Sequence, residues 1–306
     1  MSQDESSPEP SDIHEPSSAV ETFPRAWQPL TPRGVAAFSR ARIGRLLIVQ
    51  CIVALLVAGS ALWFLSANWF PTAREAIRAL PETGLIQNQQ LSSPRTVIDP
   101  LSDSRFLTFV VDGDGAGTPS LATDLRVEFH RRNIAVCSLF GCLLFDYPRD
   151  WTIQFNRPEL DSWWAAWEPT LYTVFGAGVM LWLLASWWML AAVYCPVVRI
   201  YCFFKDRQIT LLGSWKLSAA ALLPAALFTA AAIVLYGLGL IDLVRLIILW
   251  CLHLPLGWAY LFASPLALPK ASDALPPARK NPFGDPPPPA APNPFSASDA
   301  EPRAKE

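Results

Sequence analysis

The sequence predicts a mainly α-helical integral membrane protein: four transmembrane helices with a small β-rich (α+β) extracytoplasmic domain inserted between the first and second. Three observations carry this. Four apolar blocks almost free of charge interrupt the chain. Between the first and second lies a long mixed stretch whose period changes to that of strands. Basic residues gather at one set of block ends. Of 306 residues, 52% are hydrophobic and only 16% charged, well under the quarter or so of a soluble domain.

The first block, Leu46 to Phe70 (LLIVQCIVALLVAGSALWFLSANWF), reaches roughly 37 Å at helical rise, enough to cross a hydrocarbon core of about 30 Å with some tilt. Ahead of it, MSQDESSPEPSDIHEPSSAVETFP is rich in Ser, Pro and acid and has no Lys or Arg. Such a segment cannot bury a core and reads as a disordered tail. Arg25, Arg33, Arg40, Arg42 and Arg45 then precede the span, which keeps the N-terminus cytoplasmic by the positive-inside bias. A signal peptide cut after Ala58-Gly59-Ser60 is the rival reading. It fits poorly, because the preceding region is too long and the apolar run continues past Ser60.

These signals divide the chain into a disordered cytoplasmic tail (1–33), a juxtamembrane segment with the first span (34–70), the extracytoplasmic α+β domain (71–167) and the second span (168–198). A basic cytoplasmic loop (199–216), the third and fourth spans (217–240 and 241–265) and a proline-rich disordered cytoplasmic tail (266–306) complete it.

In the inserted domain, Pro71-Thr72 followed by AREAIRAL predicts a short helix with proline in its first turn, ended by Pro81. The runs RFLTFVV (105–111), LRVEFH (125–130), IAVCSLF (134–140), CLLFDY (142–147) and WTIQF (151–155) are β-branched or aromatic and bounded by turn residues. Antiparallel hairpins are expected. Cys137 and Cys142 flank Ser138-Leu139-Phe140-Gly141; if that tetrad is a hairpin turn, the sulfurs face each other and bridge in an oxidising compartment, two free thiols being the alternative. Asp112-Gly113-Asp114-Gly115-Ala116-Gly117 spaces its acids as a calcium loop would. The fifth and twelfth positions are Ala116 and Thr123, so a glycine-rich turn explains it better. His130 beside Arg131 and Arg132 has no triad partner nearby, and Trp163, Trp164 and Trp167 read as an interfacial anchor.

The second block runs from Pro169 to Val198 and meets Arg199, Lys205, Arg207 and Lys216, which again marks a cytoplasmic loop. Cys195 and Cys202 near this edge are expected as free thiols. The third and fourth blocks form a tight hairpin whose Pro224 and Pro255 each remove a backbone donor and predict kinks. Asp242 and Arg245, at the outer start of the fourth span, are the sharpest polar pair near the bilayer. They form either an ion route or, more simply, an interfacial pair in a turn. His253 lies deeper and has no second buried ionisable group to relay to. The C-terminal tail repeats Asn-Pro-Phe at 281–283 and 293–295, a tripeptide that arises easily in so proline-rich a stretch and otherwise serves as a weak tether.

LPETGLIQNQQL (80–91), FLTFVVDGDG (106–115) and WKLSAAALLPAALF (215–228) resemble segments of an uncharacterised bacterial family of multispan membrane proteins sometimes labelled maltodextrin-utilisation proteins. The resemblance covers 38–268 and implies a bacterial plasma-membrane protein with an N-terminal span, a small extracytoplasmic domain and a proline-containing bundle. It supplies no catalytic residue.

Composition narrows the function classes. A net charge of −2 and the lack of a basic stripe set nucleic acid aside. Six cysteines and three scattered histidines (His14, His130, His253) give no local metal motif, and no cofactor is expected. The expected function is non-enzymatic: a multi-pass protein of the bacterial plasma (inner) membrane, partnered by the lipid bilayer, whose outer domain binds a protein or envelope component. The alternative is a transport or permease-accessory role, for which four spans would need a homo-oligomer.

Overall fold

The computed structural model describes residues 27–93, 99–113 and 123–270. It contains four helices long and apolar enough to cross a membrane: Ile43–Arg78, Arg157–Phe204, Leu211–Gly237 and Leu243–Ala267. Both tails lie outside the described residues for most of their length, and with them the two Asn-Pro-Phe repeats.

The chain enters through a short helix, α1 (Pro32–Phe38), capped by Thr31, whose Oγ1 accepts from Gly34 N at 3.1 Å. Gly34 is required by close approach, since a Cβ there would fall 1.8 Å from Gln28 O. Val35 and Phe38 are fully buried in the main helical core, so the juxtamembrane segment is part of the fold. The first rod is α2 (Ile43–Phe64), a π-helical turn Leu65–Trp69, and α3 (Phe70–Arg78). Pro71 explains the turn. It offers no N–H to the Ala67 carbonyl, and its ring crowds that group. The ladder therefore widens: Phe70 N donates to Leu65 O, and Asn68 Nδ2 takes the Phe64 carbonyl at 3.3 Å.

The second rod, α4 (Arg157–Phe204), is 48 residues long, about 72 Å at helical rise. It begins well before the apolar window and ends after it, because its start is set by chemistry outside that window: the Asn156 side chain accepts from Glu159 N at 3.1 Å, with proline in the first turn. Pro169 and Pro196 lie inside it without ending it. The basic segment between the second and third rods correspondingly shortens, since α5 (Leu211–Ala221) already starts at Leu211. Pro224 occupies the first turn of α6 (Leu223–Gly237) and splits the third rod at Leu222, whereas Pro255 stays within α7 (Leu243–Ala263). The third rod is central, 61% of its apolar window being buried against 11% for α4 and for α7. Small residues make this possible: Ala219, Ala220, Ala221 and Ala226 let neighbouring backbones approach.

Among the described residues the β-rich unit holds two sheets. β1 (Leu85–Gln87) pairs with β2 (Gln90–Ser92) and with β8 (Ile153–Gln154). The β1–β2 turn puts both Asn88 and Gln89 at positive φ, 50° and 61°, the geometry a two-residue hairpin prefers. The larger sheet has the order β3 (Asp99–Asp103), β4 (Leu107–Val111), β5 (Leu125–Phe129), β6 (Asn133–Ser138) and β7 (Gly141–Asp146). Here the expectation of hairpins throughout is corrected, because β4 and β5 run parallel. A parallel pair needs a return connection of about a dozen residues, and the stretch from Asp112 to Asp124 supplies it; its glycine-rich part, 114–122, lies outside the described residues. One face of the sheet packs on α3, burying Leu80, Leu101, Val111, Tyr147 and Phe155 together.

Candidate functional site

The β6–β7 hairpin is the most exposed apolar feature of the β-rich unit. Cys137 pairs with Cys142 and Ser138 with Gly141, leaving Leu139-Phe140 as a two-residue turn. Gly141 has a φ of 111°, a conformation few other residues accept. Directly cross-strand, Cys137 and Cys142 form a disulfide with their Cα atoms 4.0 Å apart. β7 is an edge strand exposed along its whole length, with Leu143 at 65%, Leu144 at 64% and Phe145 at 54%, and the turn residue Phe140 at 81%. Strand alternation puts Leu143 and Phe145 on one face and Leu144, between Cys142 and Asp146, on the other, so both faces carry exposed apolar side chains. The opposite edge differs. β3 carries Pro100 and a register shift between Pro100 and Ser102, two devices that discourage a further strand from adding.

The unit is seated on the ends of α2, α6 and α7. Arg105 donates from Nη1 to Gly239 O (2.7 Å) and from Nη2 to Ile241 O (3.0 Å), gripping the α6–α7 turn. Tyr236 donates its hydroxyl to Asp124 Oδ2 at 2.6 Å. Phe64, Phe106 and Tyr236 form a ring cluster with centroids 4.9–5.4 Å apart. A second tie joins α3 to α4 through the paired hydrogen bonds of Arg74 and Glu168. Leu125 follows Asp124 and pairs with Ser138, so the Leu139-Phe140 turn lies at the sheet end nearest the helices.

The residues singled out from sequence fall at separate places. Asp242 is the N-cap of α7: its Oδ1 accepts from Arg245 N at 2.8 Å, and Arg245 Nε stands 3.5 Å from Asp242 Oδ2, both side chains being half exposed or more. That is helix capping by a local pair. His253 contacts the Trp250 carbonyl in a cleft of about 230 Å³ between α4, α6 and α7, lined by Trp182, Tyr194, Trp250 and Trp258 and, among the described residues, by no carboxylate. His130 is held by Asp112 O (3.1 Å) and Glu128 (3.2 Å), and Glu128 also meets Arg126 at 2.7 Å. Next to it Tyr147 donates to His130 O at 2.9 Å, and burial pushes its phenol well above the usual range. Cys195 and Cys202 are buried free thiols, Cys195 lying 3.0 Å from Ser214 Oγ. Trp164 packs edge-on against Phe70 (5.2 Å), while Trp163 and Trp167 stack at 6.2 Å. Among the described residues no three His, Cys, Asp or Glu side chains gather to hold a metal ion.

Several residues that organise the structure gave little sign of it in sequence. Gln50 is fully buried in α2 and accepts from Trp188 Nε1 at 3.1 Å, polar glue between two apolar rods. Lys216, counted in sequence as a loop base, is buried and donates to Ala41 O at 2.7 Å. Only the oddity of a Gln inside an apolar block pointed to the first; nothing local pointed to the second.

Comparison with known proteins gives no match to any family model, curated protein or solved structure.

Proposed function

We propose that the chain is a non-enzymatic, multi-pass protein of a bacterial plasma membrane, with both ends cytoplasmic, whose β-rich unit lies outside and docks an extended polypeptide along β7. The observation that carries this is the unguarded edge: a six-residue strand with apolar side chains on both faces, free of Lys, Pro or bulge, beside a sheet whose other edge is protected. With the turn included, the exposed apolar surface is roughly 500 Å², the upper end of what a monomer ordinarily shows, and such patches are often functional.

A strand is the occupant that fits. Lipid cannot satisfy the outward N–H and C=O groups of β7, whereas an added strand pairs with them and buries Leu143 and Phe145 on one face and Leu144 on the other. The disulfide ties β6 to β7 beside the turn, and the Arg105 and Asp124 contacts couple a docked strand to the α6–α7 turn. The lysine and arginine residues around α1, the end of α4 and the start of α5 support the assigned sidedness.

The test is photo-crosslinking of the full-length protein in membranes, with the probe at Leu143, in parallel with Leu144→Lys. A discrete adduct that disappears in the lysine variant supports strand docking, and an adduct of doubled mass identifies the partner strand as that of a second copy. No adduct, or one unaffected by Leu144→Lys, would overturn the reading.

A further inference from the structure

At the end of the helices opposite the β-rich unit, the corner before α2, the end of α4 and the start of α5 enclose a cleft of about 540 Å³. Arg199 and Arg207 line it, and among the described residues no Asp or Glu does. Guanidinium groups sharing a cleft repel one another unless an anion sits between them, so the arrangement calls for a negative group.

The two are differently placed. Arg207 is fixed: its Nη1 donates to Leu268 O, and its Nε is buried with no acceptor among the described residues. Arg199 is exposed and makes no ion pair among the described residues. One anchored and one free fork is a suitable geometry for an anion with several oxygens, because the fixed group loses little entropy and the mobile one adapts. The floor is the N-terminus of α5, where Thr210 Oγ1 holds Gly213 N at 3.0 Å, and the helix dipole adds to the positive field. Phe203 and Ile209 in the wall make the cleft apolar as well as basic, with Phe203 directed outward and exposed.

We propose that this cleft binds a phosphate group, held by Arg199 and Arg207 over the start of α5. The phosphate belongs either to an acidic phospholipid of the adjoining leaflet, which basic pockets between membrane helices commonly take, or to a soluble phosphorylated compound. The site is distinct from the β7 edge and independent of what docks there.

The experiment uses full-length protein. In one arm, native mass spectrometry counts lipid retained from phosphatidylcholine bilayers with and without phosphatidylglycerol. In the other, inorganic pyrophosphate is titrated against protein in phosphatidylcholine alone, and the melting temperature is followed. Arg199→Gln removes one fork without touching a structural bond, and Arg42→Gln makes the same charge change outside the cleft. Preferential retention of phosphatidylglycerol, weakened about tenfold by Arg199→Gln, the effect of losing one charge-assisted contact, and unchanged by Arg42→Gln, establishes a lipid headgroup site. The same pattern with pyrophosphate establishes a soluble ligand. If wild type and Arg199→Gln bind alike in both arms, or Arg42→Gln loses as much, the attraction is diffuse charge and the proposal fails.

Discussion

The seating of the β-rich unit on the helices rests on Tyr236, and removing one oxygen tests it. Tyr236→Phe keeps the ring cluster with Phe64 and Phe106 and deletes only the 2.6 Å bond to Asp124 Oδ2. Hydrogen bonds to charged acceptors contribute about 1.5–3 kcal/mol. Tyr236 is buried but Asp124 is only half buried, so water competes on one side and the lower figure, about 1.5 kcal/mol, is expected. Leu125 N donates to Phe106 O at 3.1 Å directly beside this contact. Its hydrogen exchange should therefore quicken about tenfold, 1.4 kcal/mol being a factor of ten, while amides of the β1–β2–β8 sheet keep their protection. In a cycle with Asp124→Ala the two changes should couple by about 1 kcal/mol. Additivity within about 0.3 kcal/mol would refute the contact as a seat for the unit.

Other perturbations follow from single contacts. Gly239 sits at φ 73°, and a Cβ there would lie 2.9 Å from Arg105 Nη1; Gly239→Ala should cost about 1–2 kcal/mol and speed exchange at the same amides. Replacing Cys137 and Cys142 together by serine opens a loop closed over a separation of five residues, and chain entropy sets the loss near 2 kcal/mol, measurable as a lower urea midpoint for the β-rich unit. Tyr147 sets a pH dependence. Its phenol is raised above its ordinary value, so its contribution to stability is complete below about pH 10 and is lost as the pH rises beyond that; Tyr147→Phe should flatten the alkaline limb of the stability profile.

Much of the layout was legible because it depends on local composition. Four apolar runs became four long helices, and β-branched stretches such as LTFVV and NIAVCS became strands. The hairpin between Cys137 and Cys142 was legible as a turn over Ser138 to Gly141, set between two β-branched or aromatic runs, and the structure narrows it to Leu139-Phe140. What stayed hidden depends on distant partners or on short polar strands. LIQ and QLS are only three residues long, too short for a period to show, and DPLSD contains a proline, so β1, β2 and β3 gave no strand signal. Whether β4 and β5 run parallel or antiparallel is decided by the course of the connection, which spacing alone does not fix. The length of α4 was missed because Asn156 and the proline after it lie outside the apolar run. Arg105 and Asp124 meet residues more than a hundred positions away, and no neighbour in the chain announces that.

The sidedness of the chain is the claim on which the docking strand stands, and thiol labelling addresses it most directly. Arg149 follows β7 and Lys205 ends α4, and both side chains are exposed. With Cys51, Cys195, Cys202 and Cys251 replaced by serine, Arg149→Cys should react with a membrane-impermeant maleimide in intact cells, and Lys205→Cys only after the membrane is opened. Labelling of Lys205→Cys from outside, or protection of Arg149→Cys until lysis, would contradict it.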